Sequence, residues 1–394
     1  MPARRTIVVA TLGTTQTIAW ASSYYLPAII ADPASKALGL PQSVFFGAFS
    51  GSLLLTALLG PSVGRAIDRQ GGRGVLMLSN LVLACGLAAL AAAQGVASLF
   101  AAWVILGAGM ALGLYDSAFA VLARLYGATA RGPMTGITLI AGFASTVGWP
   151  ATALFDQAVG WRGACLIWAA VNLLLALPLN RLILPSSAAT QTSAPPQQAP
   201  PAPPPRFAAA ILAFVFAAAW FVTGAMAAHL PRLLQIAGAT PAAAIAAAAL
   251  VGPAQVAARL VEFSLLRRIH PIVSARIATV LHPIGAAVLL ALGAPAAIAF
   301  ALLHGAGNGM LTIARGTLPL AVFGSAGYGL RNGLIGAPAR ATQALSPLLF
   351  GLILDRLGVA ALLVSAGMSL AALAALLLLR LGPRPVGAPA PRAG

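Results

Sequence analysis

Two stretches of an otherwise apolar sequence carry ionisable groups at helical spacing. In "GPAQVAARLVE", Gln255, Arg259 and Glu262 recur every three or four residues, which puts them on one helical face. In "HGAGNGMLTIAR", His304, Asn308, Thr312 and Arg315 do the same, at spacings of 4, 4 and 3. Arg340 and Gln343 lie in a third apolar run, and Asp116 lies in a fourth with Gly109 and Gly113 on its face. A charged side chain at the centre of a membrane helix costs about 2.5–3.5 kcal/mol, so such groups face a cavity or a partner. Within the apolar runs Arg259, Arg315 and Arg340 outnumber Asp116 and Glu262, an excess that favours an anionic ligand. Glu262, three residues from Arg259, is placed to neutralise it. Asp116 and Arg315 fall at similar depths and are placed to pair across a cavity. Asp116, Glu262 and His304 are the groups that can take up a proton, and protonating Asp116 would free Arg315 for an anion. Gln16, Trp20, Ser23 and Tyr24 in the first apolar run, and Trp220 and Thr223 in the seventh, add polar and aromatic groups at helical spacing.

Other chemistries find no support. "GAGNG" at 305–309 departs from the G-x-G-x-x-G phosphate loop and sits inside an apolar run, where its glycines suit close helix packing. Cys85 and Cys165 show no metal-ligand spacing and no disulfide framework. The sequence predicts no enzyme, no metal and no cofactor.

The elements that must position these residues are membrane spans. Of the 394 residues 60% are hydrophobic and only 7% charged, against about 25% charged in soluble domains. A crossing needs roughly 20 apolar residues, and such runs fill nearly the whole chain. Twelve are predicted: 6–31, 42–63, 74–94, 97–124, 131–155, 162–184, 207–236, 241–266, 272–292, 295–322, 332–354 and 359–380. Between the sixth and seventh, "PSSAATQTSAPPQQAPPAPPPR" is too rich in proline to bury a core and reads as a linker. The predicted organisation is a six-span half at 1–184, a linker at 185–206, a second six-span half at 207–381 and a tail at 382–394. The net charge of +17 would suggest nucleic acid in a soluble protein. Here the arginines lie in short gaps between spans and obey the positive-inside rule. With both termini cytoplasmic, sixteen arginines fall inside, while Lys36, Arg162, Arg232 and Arg356 fall outside. The arginine and alanine content suits a bacterial inner membrane protein, multi-pass and monomeric, with no nucleic-acid partner.

The halves resemble each other. "LGAGM" at 106–110 matches "HGAGNGM" at 304–310, Gly136 falls opposite Gly336, and Asp156 opposite Asp355, at spacings of 198 to 200. Duplicated halves with a midplane site between them are common among secondary transporters. The charge cluster between spans 2 and 3, Gly64-Arg-Ala-Ile-Asp68-Arg69-Gln-Gly71-Gly-Arg73, resembles the loop 2–3 signature of the major facilitator superfamily. The resemblance implies an all-α fold of two pseudo-symmetric six-helix bundles, a central cavity lined by spans 1, 4, 7 and 10, and alternating access. It also implies a cytoplasmic latch. Gly64 would end span 2 where another helix packs close, and Asp68 would face the start of span 11 near Arg331. Arg69 and Arg73 would hold Asp68 and meet lipid phosphates. Arg259 in span 8 further resembles the monocarboxylate-transporter branch, with Gln255 where that branch has an acid. The function implied is proton-coupled transport of a small organic anion such as a monocarboxylate. The competing expectation is a proton-antiport exporter of drugs, cations or toxic metalloids, in which Asp116 or Glu262 would matter more than the arginines.

Overall fold

The computed structural model describes residues 2–126, 131–184, 207–264, 270–323 and 328–379, and every regular element among them is helical. The linker at 185–206 and the tail at 382–394 lie outside the described residues. The first crossing is split into α1 (Pro2–Ser22) and α2 (Pro27–Leu38). The second and third are α3 (Gln42–Gln70) and α4 (Gly72–Ala91), and the fourth is split into α5 (Val96–Gly113) and α6 (Tyr115–Tyr126). The fifth and sixth comprise α7 (Arg131–Ala141), α8 (Ala144–Val171) and α9 (Leu177–Ile183). In the second half α10 (Ala208–Ile236) is the seventh crossing, and α11 (Pro241–Ala249) with α12 (Val251–Ser264) the eighth. Then follow α13 (Pro271–Leu292), α14 (Ala297–Phe323), α15 (Tyr328–Leu357) and α16 (Ala361–Leu378).

Nine stretches of described residues are long and apolar enough to cross a membrane. Two of them, Gly132–Ile183 and Ile335–Leu378, hold two crossings each. The first doubles back at Gly160, whose φ of 72° suits only glycine. Trp168 Nε1 donates to Thr152 Oγ1 at 2.9 Å, joining positions eight residues either side of that turn. The second turns at Gly358, φ 55°. Its return is fixed by Arg276 at the start of α13, which donates to the Leu376 carbonyl near the end of α16. Large side chains left on the outside, such as Leu58, Leu174, Leu182 and Leu378, are each more than three-quarters exposed. In a bilayer that surface meets hydrocarbon rather than water.

The repeated glycines do equivalent work in the two halves. A Cβ on Gly107 of α5 would lie 2.7 Å from the Ser52 carbonyl of α3, and one on Gly109 would lie 2.8 Å from Leu83 of α4. One repeat later, Gly305 of α14 meets the Val251 carbonyl of α12 at 2.7 Å, and Gly307 meets the Ala278 carbonyl of α13 at 2.7 Å. Span 4 thus packs on spans 2 and 3 as span 10 packs on spans 8 and 9, through small residues that let backbones touch. Polar side chains lace the first half. Thr15 donates to Asn180, Asn180 to Asn80, Asn80 to Asn172, and Asn172 to Ser22, in a chain that ties α1, α4 and α9 together.

The halves meet at the end remote from the N-terminus. Ser50 Oγ accepts from the Leu348 N–H at 3.2 Å, and Thr146 Oγ1 donates to the Ala249 carbonyl at 2.8 Å. Phe46 of α3 packs on His229 of α10, and Gln343 donates to the Tyr24 hydroxyl at 3.0 Å. Toward the other end of α3, nothing among the described residues lies within 4 Å of where a Cβ would stand on Gly60 or Gly64.

Two expectations are corrected here. Gly64 does not end span 2, because α3 runs on to Gln70, and no atom of the described residues lies within 4 Å of where its Cβ would stand. The glycine that breaks the chain is Gly71, at φ 87°, while Gly72 begins α4 so close to Val121 of α6 that a Cβ would overlap that side chain. The motif's later glycines therefore turn the chain between spans 2 and 3. The side chains of Asp68 and Arg331 lie outside the described residues, Arg69 is exposed and Arg73 half-buried. The second correction is that spans 1, 4, 5 and 8 are broken rather than continuous.

Candidate functional site

The breaks bring side chains of different spans together. In span 1 the helix stops at Ser22, and Pro27, which has no N–H to donate, restarts it as the first residue of α2. The Tyr25 N–H reaches back to the Trp20 carbonyl at 3.0 Å. This turn presents Trp20, Tyr24 and Tyr25. Trp20 meets Tyr24 and Tyr115 with ring centroids 4.9 Å apart in each case. Tyr115 stacks on Phe119 at 5.5 Å, and Tyr25 meets Trp149 edge-on at 5.5 Å. Spans 1, 4 and 5 thus supply a continuous aromatic wall. Its members Tyr25, Tyr115 and Trp149 stand outside the candidates drawn from the sequence. The signal that would have found Tyr25 and Tyr115 is the position of each beside a helix break.

Arg259 projects toward that wall from α12. It is 8% exposed. Its Nη1 donates to the Thr138 carbonyl of α7 at 2.8 Å, its Nη2 to Gln255 Oε1 at 3.4 Å, and its Nε has no partner. Tyr25 and Tyr115 lie within electrostatic range of the guanidinium. The expected neutralisation by Glu262 does not occur. Glu262 bonds Ser274 of α13, and its Oε2 is buried without a partner. A spacing of three leaves two side chains about 60° apart around a helix. Here that offset sends Arg259 to the facing half and Glu262 to its own bundle. Among the described residues the ion pairs are Asp32–Lys36 and Arg232–Asp355, both at 2.7 Å. Arg259 is accordingly a buried cation with no carboxylate beside it among those residues.

Spans 7, 10 and 11 bring a second set of the predicted residues together. The Arg315 guanidinium lies 4.8 Å from the centroid of the Trp220 ring, within cation–π range. Arg315 Nη2 and Arg340 Nη1 both converge on Gly336 of α15, 3.5 and 4.0 Å from where its Cβ would be. The Thr223 hydroxyl lies 2.9 Å from both the Ala219 carbonyl and Asn308 Oδ1, which ties span 7 to span 10 at this point. Of the predicted residues, Arg259 reaches Thr138 and Tyr24 reaches Gln343 across the two halves, while Trp220, Asn308, Arg315 and Arg340 meet neighbours within the second half.

Three further expectations are corrected. His304 does not share the outlook of Asn308 and Arg315. It is buried behind span 10, with its Nδ1 3.0 Å from His282 Nδ1 of α13, and His282 Nε2 is 3.0 Å from Ser365 Oγ of α16. Gln16 is committed to the scaffold: its Nε2 donates to the Gly113 carbonyl, an acceptor left over where α5 ends. Asp116 and Arg315 form no ion pair, and Asp116 is exposed at the start of α6. No group of three or more His, Cys, Asp or Glu among the described residues could hold a metal ion.

Comparisons agree with this architecture. No curated protein matches the sequence. Among solved structures, the nucleoside transporter NupG superposes with a TM-score of 0.73 at 13% identity, covering 95% of this chain and 99% of that one. A bacterial homologue of the human lysosomal transporter Spinster, in an inward-facing and unoccupied conformation, superposes with a TM-score of 0.68 at 15% identity, covering 96% and 99%. The same homologue in its inward-facing, occupied conformation gives 0.64 at 16% identity, covering 95% and 94%. At these identities the likeness is one of fold. The sequence profile described as Major Facilitator Superfamily matches residues 12–303. Helical crossings in two similar halves and a profile match over most of the chain lead to one assignment: this multi-pass membrane protein belongs to the Major Facilitator Superfamily.

Proposed function

We propose that the protein is a secondary active transporter that carries a small organic anion, with monocarboxylates the first class to try, together with a proton by alternating access. The observation that carries this reading is Arg259, a buried guanidinium with an unpaired Nε and no carboxylate beside it among the described residues. An isolated buried charge is costly, and an anionic cargo would supply the missing counter-charge. Arg315 and Arg340 about Gly336, and the Asn308 amide, add donors on the same side, while Trp20, Tyr24, Tyr25 and Tyr115 offer apolar faces to the organic body of the cargo. With the arginine bias setting both termini in the cytoplasm of a bacterial inner membrane, the closed end is external and the arrangement is inward-facing. The protein works as a monomer. The Asp68 cluster belongs to the opposite, outward-facing state, where Asp68 would meet the start of span 11 near Arg331.

The second reading, proton-antiport export of a cation, is favoured by Glu262, whose buried Oε2 has no partner. Purified protein in liposomes separates the two. Uptake of radiolabelled lactate, pyruvate and acetate would be followed under an imposed pH gradient, with a lipophilic cation as comparison. Acid-driven carboxylate uptake that is lost in Arg259→Gln and survives in Glu262→Gln supports the anion carrier. Cation efflux that fails in Glu262→Gln and survives in Arg259→Gln would replace it.

A further inference from the structure

The seal at the external end contains one imidazole among the described residues. His229 of α10 is fully buried. Its Nε2 lies 2.7 Å from the Pro347 carbonyl of α15. A carbonyl only accepts, so Nε2 carries the hydrogen and Nδ1 presents a lone pair. That Nδ1 is buried and has no partner. The ring is covered by Phe46 of α3, 4.1 Å between centroids, and Phe46 belongs to the other half of the molecule. Phe350 lies on α15 at 5.9 Å, and Gly351 leaves the ring its room, since a Cβ there would stand 3.1 Å from Cε1. The charged groups facing this position are few. Arg232 of α10 and Asp355 of α15 pair with each other at 2.7 Å, and Asp32 and Lys36 of α2 do likewise. The part of α3 from Gln42 to Leu59 carries no ionisable residue.

We infer that His229 is a proton-operated catch on the external gate: it takes a proton only when span 2 parts from spans 7 and 11, so external acid holds that gate open. In the sealed state a proton on Nδ1 would create a buried N–H with no acceptor, in contact with an aromatic ring and shut off from water. Parting the halves removes Phe46 and admits water to Nδ1. A ligand that binds one of two states shifts the equilibrium toward it, and here the ligand is the proton. The inference rests on the alternating-access part of the reading above and is independent of the cargo and of proton coupling. An imidazole in water titrates near pH 6.5. If the sealed ring binds no proton, the ratio of open to sealed gate rises about tenfold between pH 7.5 and 5.5.

The test uses full-length protein in lipid nanodiscs, with Cys85 and Cys165 replaced by Ser and spin labels on Ala37→Cys and Arg356→Cys at the external ends of the two halves. Double electron–electron resonance reads the sealed and parted populations at pH 7.5 and 5.5. The expected result is a roughly tenfold rise of the parted-to-sealed ratio at acid pH. His229→Gln keeps a donor for the Pro347 carbonyl and leaves the Arg232–Asp355 pair in place, and it should remove that response. Phe46→Ala keeps the histidine but admits water to the sealed ring, and it should shrink the response even where His229→Gln fails to fold. Equal pH responses in all three proteins overturn the role of His229. A gate that stays shut at both pH values overturns the inference and the alternation beneath it. Carboxylate uptake, measured separately, tests the cargo alone.

Discussion

Replacing Arg259 by Met tests whether this buried guanidinium serves cargo or scaffold. Methionine has a similar length and no charge. Its introduction removes one hydrogen bond to Thr138 and one to Gln255. The Thr138 carbonyl is not orphaned, because it also accepts from the Gly142 N–H at 2.9 Å. The desolvation cost of the lone cation disappears with it, and in proteins that cost is several kcal/mol per ion. Hydrogen bonds to charged groups return about 1.5–3 kcal/mol each. For the empty protein the two effects nearly cancel or favour Met, so Arg259→Met should melt at the wild-type temperature or above it. For the anion the balance is one-sided. Losing a charge-assisted bond of about 1.5–3 kcal/mol weakens binding by roughly 10- to 150-fold. The assay is thermal unfolding in detergent, with and without millimolar lactate, pyruvate or acetate, alongside liposome uptake. A variant that is destabilised by several kcal/mol yet still answers to carboxylates with wild-type affinity would show that Arg259 is a strut between the halves, and the case for an anionic cargo would fall.

Other expected outcomes follow from single contacts. Gly72→Ala forces a methyl into Val121, and overpacking of this kind costs about 1–3 kcal/mol. Pairing it with Val121→Ala should restore much of the lost thermal stability. Thr223→Val removes the hydroxyl that sits between Asn308 and the Ala219 carbonyl, which should cost about 1–3 kcal/mol and loosen the Asn308 amide proposed to meet the cargo. The readout is a raised KM in uptake with expression and folding retained. His304→Leu should lower thermal stability by breaking the contact with His282, yet leave the substrate profile unchanged, because that contact lies behind span 10. A changed profile on flux assay would return His304 to the site.

The broad architecture was legible because the bilayer enforces it. Apolar runs of the required length can be counted directly, and the repeat at 198 residues placed the glycines of spans 4 and 10 in matching roles. What the sequence left hidden has a common cause. A helical wheel shows which side chains share a face, but the neighbouring helices decide what that face sees. Arg259 and Glu262 share a stripe and part company because one meets Thr138 and the other Ser274. His304 and Asn308 are one turn apart, yet one meets α13 and the other α10. The helix breaks were equally obscure. Those at Tyr24–Tyr25 and Leu250 have Pro27 and Pro253 just beyond them, whereas no proline stands near Leu114. Gln16 looked like a ligand for cargo because the loose carbonyl it satisfies exists only once span 4 is broken.

The lone guanidinium of Arg259 also has an electrical consequence. In an alternating carrier the membrane voltage falls mainly across whichever end is sealed, so a charge fixed between the halves changes its place in the field each time the seal switches ends. One elementary charge crossing a full 100 mV is worth about 2.3 kcal/mol. The unloaded carrier, bearing Arg259 uncompensated, should therefore feel a share of that energy as it resets. A carboxylate bound alone would cancel that charge, whereas a carboxylate bound with its proton leaves it in place. Comparing how voltage acts on the loaded and empty strokes would therefore report whether the proton rides with the cargo.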